Sequence, residues 1–181
     1  MKKRKRIRSA EALELYPLPS VRQYEDCVRD LNESGALAPL SGFRQHGSYT
    51  RLDHCFNVSY LSYALCLRLG LDYRAAARGG LLHDFFLYDW HTTKHEEGQH
   101  AFLHPHIALA NAERHFELTP KERDIIVKHM WPLTISLPKS PEAFLVSCVD
   151  KYCAAEEALC CWGRSLGRFV RRMAVAMSTH V

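Results

Sequence analysis

In the stretch Gly79-Gly80-Leu81-Leu82-His83-Asp84-Phe85-Phe86, an imidazole and a carboxylate stand side by side in an otherwise apolar run. Burying an unpartnered polar group costs about 2–7 kcal/mol by transfer estimates, and a cation bound by both side chains removes that cost. Further ligand types stand apart in the chain: His54 upstream, and His104, His129 and Asp150 downstream. Asp150 follows Phe144, Leu145, Val146, Cys148 and Val149, surroundings in which a carboxylate needs a partner. One cation held by His54, His83, Asp84 and Asp150 would satisfy three predicted helices at once. The two oxygens of Asp84 allow a second cation, with His104 and His129 as its other ligands; His106, two residues further on, competes with His104. Two cations ~3.5–4 Å apart stabilise the attacking and leaving oxygens of an in-line displacement, and coordination lowers the pKa of water to roughly 7. A hydroxide is then the natural nucleophile. Histidine and aspartate ligation suits Mn, Fe, Co, Ni or Zn better than Mg, which prefers oxygen and water.

Helices must position these residues. Ser20 is placed to cap a helix over Val21–Leu31. The segment from Ala36 to Thr50 holds Pro39, Gly42 and Gly47 and reads as a loop. A long helix from Arg51 to Leu69, stopped by Gly70, is apolar nearly all round and is expected at the centre of a bundle. Asp72 caps the next helix, Tyr73 to about Leu87. Its Gly79-Gly80 pair costs roughly 1 kcal/mol per glycine relative to alanine, which makes sense where another backbone comes close, the His54 helix first. Adjacent helical side chains point about 100° apart, so this helix should end or distort at His83-Asp84. Tyr88 to Leu103 is a polar stretch of the length often found in functional loops. Pro105 suits a first helical turn continued from His106 to Phe116. Thr119-Pro120-Lys121-Glu122 is a capping box opening a helix to about Met130. Ser140-Pro141 starts another to about Trp162, and Gly163 separates it from a basic helix, Arg164 to Met177. The fold class expected is all-α, a single-domain helical bundle over residues 20–181, preceded by a basic arm over residues 1–19.

Composition narrows the function classes. At 181 residues and 47% hydrophobic, the chain supports one domain with a real core. No apolar run approaches the ~20 residues that span a bilayer, and the basic start lacks a following apolar segment, so neither a membrane partner nor a secretory signal is expected. Seven cysteines, an odd number without a CxxC pair, make a poor disulfide or zinc framework and place the protein in a reducing cytoplasm. Residues 1–8 carry six Lys/Arg and residues 164–181 four Arg. The 24 basic residues thus leave 14 for the span between, against 20 acidic ones. A body of that sign is not a dedicated nucleic-acid surface.

The order His54, His83-Asp84, His104, His129, Asp150 resembles the HD-domain superfamily of metal-dependent phosphohydrolases. The segment from Arg51 to His91, RLDHCFNVSYLSYALCLRLGLDYRAAARGGLLHDFFLYDWH, is similar to its first half. HPHIAL, VKHMWPL and LVSCVDKYCAAEE are similar to the second half of two-metal members. The resemblance covers about residues 45–160. It implies an all-helical fold, with His54, His83, Asp84 and Asp150 as core metal ligands and His104 and His129 as the extra histidines of binuclear members. It implies one or two divalent ions (Mn, Fe, Ni, Co, Zn or Mg) and cleavage of a phosphate mono- or diester by an activated hydroxide. The expected partner is a small phosphorylated substrate, a nucleotide first. No GYP motif follows His83-Asp84, so the superfamily is better matched than any subfamily. Asp84 is expected to fix the cations, and Lys94 in the polar loop to contact phosphate, with Arg51 and Lys151 as further candidates. Asp53 could orient His54. The competing reading is a non-catalytic metal- or nucleotide-binding regulatory module on the same fold.

Overall fold

Side chains able to accept a backbone N–H stand before most helices and set where they begin. The computed structural model describes residues 19–93 and 98–178, with side chains through Cys160. Ser20 caps α1 (Val21–Glu33), its Oγ accepting from the Gln23 N–H. Thr50 and Asp53 form a reciprocal capping box on α2 (Arg51–Leu69), which Gly70 closes in the left-handed conformation at φ 67°. Asp72 accepts from the Ala75 N–H to open α3 (Tyr73–Leu82). A 16-residue α4 follows (His100–His115). A second capping box, Thr119 with Glu122, opens α5 (Pro120–Lys128). Ser140 Oγ accepts from the Ala143 N–H at the start of α6 (Pro141–Ser178). Among the described residues the chain is all-α: one 3-10 turn, Ala38–Gly42, joins α1 and α2, and no strand forms beyond an isolated bridge between Arg44 and Thr50. No helix among them is long and apolar enough to cross a membrane. The basic arm expected over residues 1–19 lies, Pro19 apart, outside the described residues.

The centre of the bundle is α3 rather than α2. Every residue of α3 from Ala75 to Leu82 is buried, whereas α2 exposes Tyr60 and Leu69. Small side chains explain the exchange, because α1, α2, α5 and α6 can all approach an Ala-Ala-Ala and Gly-Gly helix closely. A Cβ on Gly80 would stand 3.0 Å from Ser59 Cα and 3.3 Å from Ser59 N, so the α2 backbone fills that space, as the glycine pair suggested. Gly79 instead faces the Ile125 side chain of α5. One charged group crosses this core: Arg78 Nε donates to Glu122 Oε1 at 2.6 Å, and its Nη1 reaches Asp30.

Three boundaries differ from the sequence reading. Helix α3 stops at Leu82, not near Leu87. Helix α4 begins at His100, a turn before the expected start, and carries Pro105 inside it. The added turn is held from the side: the His100 ring stacks on His104 at 4.5 Å and on Trp90 at 5.5 Å, and Tyr88 Oη lies 2.9 Å from its Nδ1. Gly163 does not break α6, which runs through to Ser178; a lone glycine costs about 1 kcal/mol, too little to end a long helix without a cap or a proline.

Candidate metal centre

Helix α3 delivers His83 and Asp84 where it ends. Beyond Leu82 the backbone turns, with the Phe85 N–H donating to Leu82 O at 3.1 Å and the Phe86 N–H to Asp84 O at 2.8 Å. That turn lets two neighbouring side chains face one point, which an unbroken helix forbids. Helix α2 contributes His54, α4 His104 and α6 Asp150, while His129 stands at the C-terminal cap of α5. All six side chains are buried.

Backbone carbonyls fix three of the rings. The Nδ1 atoms of His83, His104 and His129 lie 2.8, 2.9 and 2.8 Å from the carbonyl oxygens of Gly80, His100 and Ile126. A carbonyl only accepts, so each Nδ1 carries a proton, and the position each ring can offer a cation is Nε2. His54 is held the same way by a carboxylate, its Nδ1 donating to Glu157 Oε2 at 3.0 Å. Glu157 is fully buried and also accepts from Asn57 Nδ2 at 2.9 Å.

The four Nε2 atoms converge on two carboxylates. His54 Nε2 lies 3.1 Å from Asp150 Oδ1, and His83 Nε2 lies 3.6 Å from both Asp150 Oδ1 and Asp84 Oδ2. The other oxygen, Asp84 Oδ1, is 3.2 Å from His104 Nε2 and 3.6 Å from His129 Nε2. Those two Nε2 atoms are 2.8 Å apart; facing lone pairs repel, so a proton or a cation must stand with them. Two buried atoms at the junction, His83 Nε2 and Asp84 Oδ1, have no hydrogen-bond partner. Ligand atoms within mutual reach fall into overlapping triplets: His54, His83 and Asp84; His83, His129 and Asp150; Asp84, His104 and His129; and, at the other end of the cluster, His46, His54 and Glu157. Two imidazole–carboxylate groups sharing Asp84, with orphaned atoms between them, suit a divalent cation.

Charge follows the same arrangement. Burial disfavours the Asp84 carboxylate, but His83 and His104 outweigh it and hold its pKa well below the ordinary value. Asp150, likewise opposed by burial, is held well below it by the hydrogen bond from His54 and by the neighbouring His83. Burial works against a charged His54 ring, yet its bonds to Asp150 and Glu157 push the pKa up to about 10. His129 goes the other way, down to about 3, through burial and the neighbouring His83 and His104.

The model of the HD domain matches residues 51–155, more than half of the chain. The chain belongs to the HD-domain family. All six converging residues lie inside the matched span of the HD domain, whose superfamily is one of metal-dependent phosphohydrolases. Among curated proteins and solved structures, none matches the chain.

Within the HD domain, His54, His83, Asp84, His104, His129 and Asp150 stand together, and His106 does not, being exposed on α4. Asp53 takes no part in orienting His54; its carboxylate accepts from the Thr50 N–H at 2.9 Å. Arg51 is wholly buried away from any substrate, with Nη1 on the carbonyls of Phe86 and Tyr88. Lys151 is half-exposed and sits 3.1 Å from Asp150 Oδ2. Lys94 lies outside the described residues. Sequence reading missed Glu157, Gln45 and His46. Glu157 carried a signal, since it follows Asp150 by seven residues, two helical turns, and so shares its face. Gln45 and His46 sit in a loop without periodicity, where no spacing marks them. His46 packs edge-on against His54 at 5.2 Å, and Gln45 Nε2 donates to Asp84 Oδ2 at 2.6 Å.

Proposed function

We propose that this HD domain is a metal-dependent phosphohydrolase acting on a phosphate mono- or diester, nucleotides first. One observation carries the reading: the ligand cluster is not sealed. Asp84, His104, His129 and Asp150 line a pocket of about 300 Å³. A structural metal site closes its coordination shell, whereas a catalytic one keeps a face open to substrate.

In this reading His54, His83, Asp84 and Asp150 would hold one divalent cation, and Asp84, His104 and His129 would hold a second. When bound, the cations supply Lewis-acid stabilisation of phosphoryl oxygens and a lowered pKa for water. Asp84 turns Oδ2 toward His83 and Oδ1 toward His104 and His129, so its carboxylate would serve both halves. Glu157 keeps His54 in the tautomer with a free Nε2, and the three carbonyls do the same for His83, His104 and His129. Lys151 lines the pocket with its ammonium on Asp150 Oδ2 and the His129 carbonyl, and would meet a substrate anion by exchanging one of these partners. Lys94 is proposed as a further phosphate contact. Trp90, Ala101, Met130 and Ala154 give the pocket an apolar wall for the non-phosphate part of the substrate.

The test is hydrolysis of p-nitrophenyl phosphate and bis-p-nitrophenyl phosphate with added Mn²⁺, comparing the natural chain with Asp84→Ala. Metal-stimulated turnover that disappears in the variant supports the reading, and equal turnover in both rejects it. Metal binding without turnover across a panel of phosphate esters would leave the regulatory module as the better description.

A further inference from the structure

Arg51 is fully buried, yet among the described residues it has no carboxylate partner. Its Nη1 donates to Phe86 O at 2.7 Å and Tyr88 O at 3.1 Å, and its guanidinium lies 3.5 Å from the centroid of the Phe86 ring. Its Nε donates to Gln45 Oε1 at 3.0 Å. Arginine only donates, so the Gln45 atom facing it is the carbonyl oxygen, and the orientation of the amide is settled. The Gln45 NH₂ group therefore faces Asp84 and donates to Oδ2 at 2.6 Å. Gln45 is itself 8% exposed, and its backbone N–H is tied to Tyr49 O at 3.0 Å.

Asp84 needs such support from outside. Helix α3 has ended at Leu82, and the donor that reaches Asp84 Oδ2 comes from the loop before α2: Gln45 Nε2, at 2.6 Å. With Oδ2 held by Gln45, Oδ1 is turned toward His104 and His129. The chain of bonds closes on itself: it begins at the carbonyls two and four residues after Asp84, passes through Arg51 and Gln45, and returns to the Asp84 side chain.

We propose that Gln45, held by Arg51, is a positioning residue that fixes the rotation of Asp84 and so makes that carboxylate a two-sided ligand. This rests on the metal-centre reading above. Gln45 touches no reacting atom in this role; it acts through Asp84. Loss of its N–H frees the carboxylate to turn, and the His104–His129 half loses its oxygen.

The experiment is calorimetric titration of the metal-free 181-residue chain with Mn²⁺, run beside thermal melts. Gln45→Met keeps the length and bulk of the side chain and drops the donor. One of the two Mn²⁺ should weaken by about 10–100-fold, the range for loss of an outer partner of a metal ligand, while the other keeps its affinity. With p-nitrophenyl phosphate as substrate, kcat should fall more than KM changes. Gln45→Glu retains the bond to Arg51 while removing the donor, and should weaken the same Mn²⁺; it decides the matter if Gln45→Met does not fold. Two Mn²⁺ bound at natural affinity in a folded variant would overturn the assignment of Gln45. A natural chain with no Mn²⁺ site would overturn the metal-centre reading itself, and this proposal with it.

Discussion

Raising the pH from 7 to 9 should tighten Mn²⁺ binding about 100-fold, because a proton occupies the atom the cation needs. In the metal-free protein burial opposes a charged His54 ring, but the hydrogen bonds to Asp150 and Glu157 prevail and carry its pKa to about 10. Coordination takes the Nε2 lone pair, so that proton must leave first. Below the pKa each pH unit costs about tenfold in affinity, or about 1.4 kcal/mol. The other shifted groups add nothing across this window: His129 is pushed down to about 3, and Asp84 and Asp150 are ionised far below it. Calorimetry at pH 7.5 in two buffers of different ionisation enthalpy should therefore count about one proton released. A plot of log affinity against pH should rise with a slope near one from pH 7 to 9. A flat plot with no proton released would refute the claim that His54 is a ligand held charged by its two carboxylates.

The stability of the metal-free protein should depend on pH at both ends. The pKa of His54 is raised above 6.5, so its contribution is complete below that value and is lost as pH rises toward about 10; melts in chelator should be lower at pH 10 than at pH 7. Asp84 and Asp150 have the opposite sign: their contribution is present above 3.8 and lost as pH falls toward their depressed values, so the melt should also drop below pH 4. Gly80→Ala places a methyl 3.0 Å from Ser59 Cα and should cost about 1–3 kcal/mol in urea unfolding, whereas an unchanged midpoint would mean α2 and α3 are not in backbone contact. Arg78→Leu strands the buried Glu122 and should cost about 3–5 kcal/mol, while Arg29→Leu, from an exposed pair with Asp26, should cost about 0–1 kcal/mol. Equal losses in the two variants would contradict the burial assigned to Arg78.

What the sequence made legible was whatever repeats with a helical period or carries a cap. Ser20, Asp72, Thr119 and Ser140 announce the starts of α1, α3, α5 and α6, and each accepts a backbone N–H in the structure. The apolar run carried the expected α3 to about Leu87, but the interruption at His83-Asp84 followed from geometry, since consecutive helical positions cannot face one point. The start of α4 was not legible, because it depends on His100 stacking between Trp90 and His104, contacts made only after folding. The same holds for the identity of the central helix: α2 has the longer apolar run, but the small residues of α3 let four neighbours close around it. Around the candidate centre, the residues that point at the junction were visible as chemical types, and those that hold them were mostly not. Gln45 reaches Asp84 from a loop 39 positions away, and Arg51, three residues before His54, reads as a candidate phosphate contact or a salt-bridge partner until its burial is seen.

The most direct measurement is an anomalous-scattering map from crystals grown with Mn²⁺. The account predicts two peaks, one among His54, His83 and Asp150 and one between His104 and His129, both within bonding distance of Asp84. A map with no peak at Asp84, in a crystal where these side chains keep their positions, would contradict it.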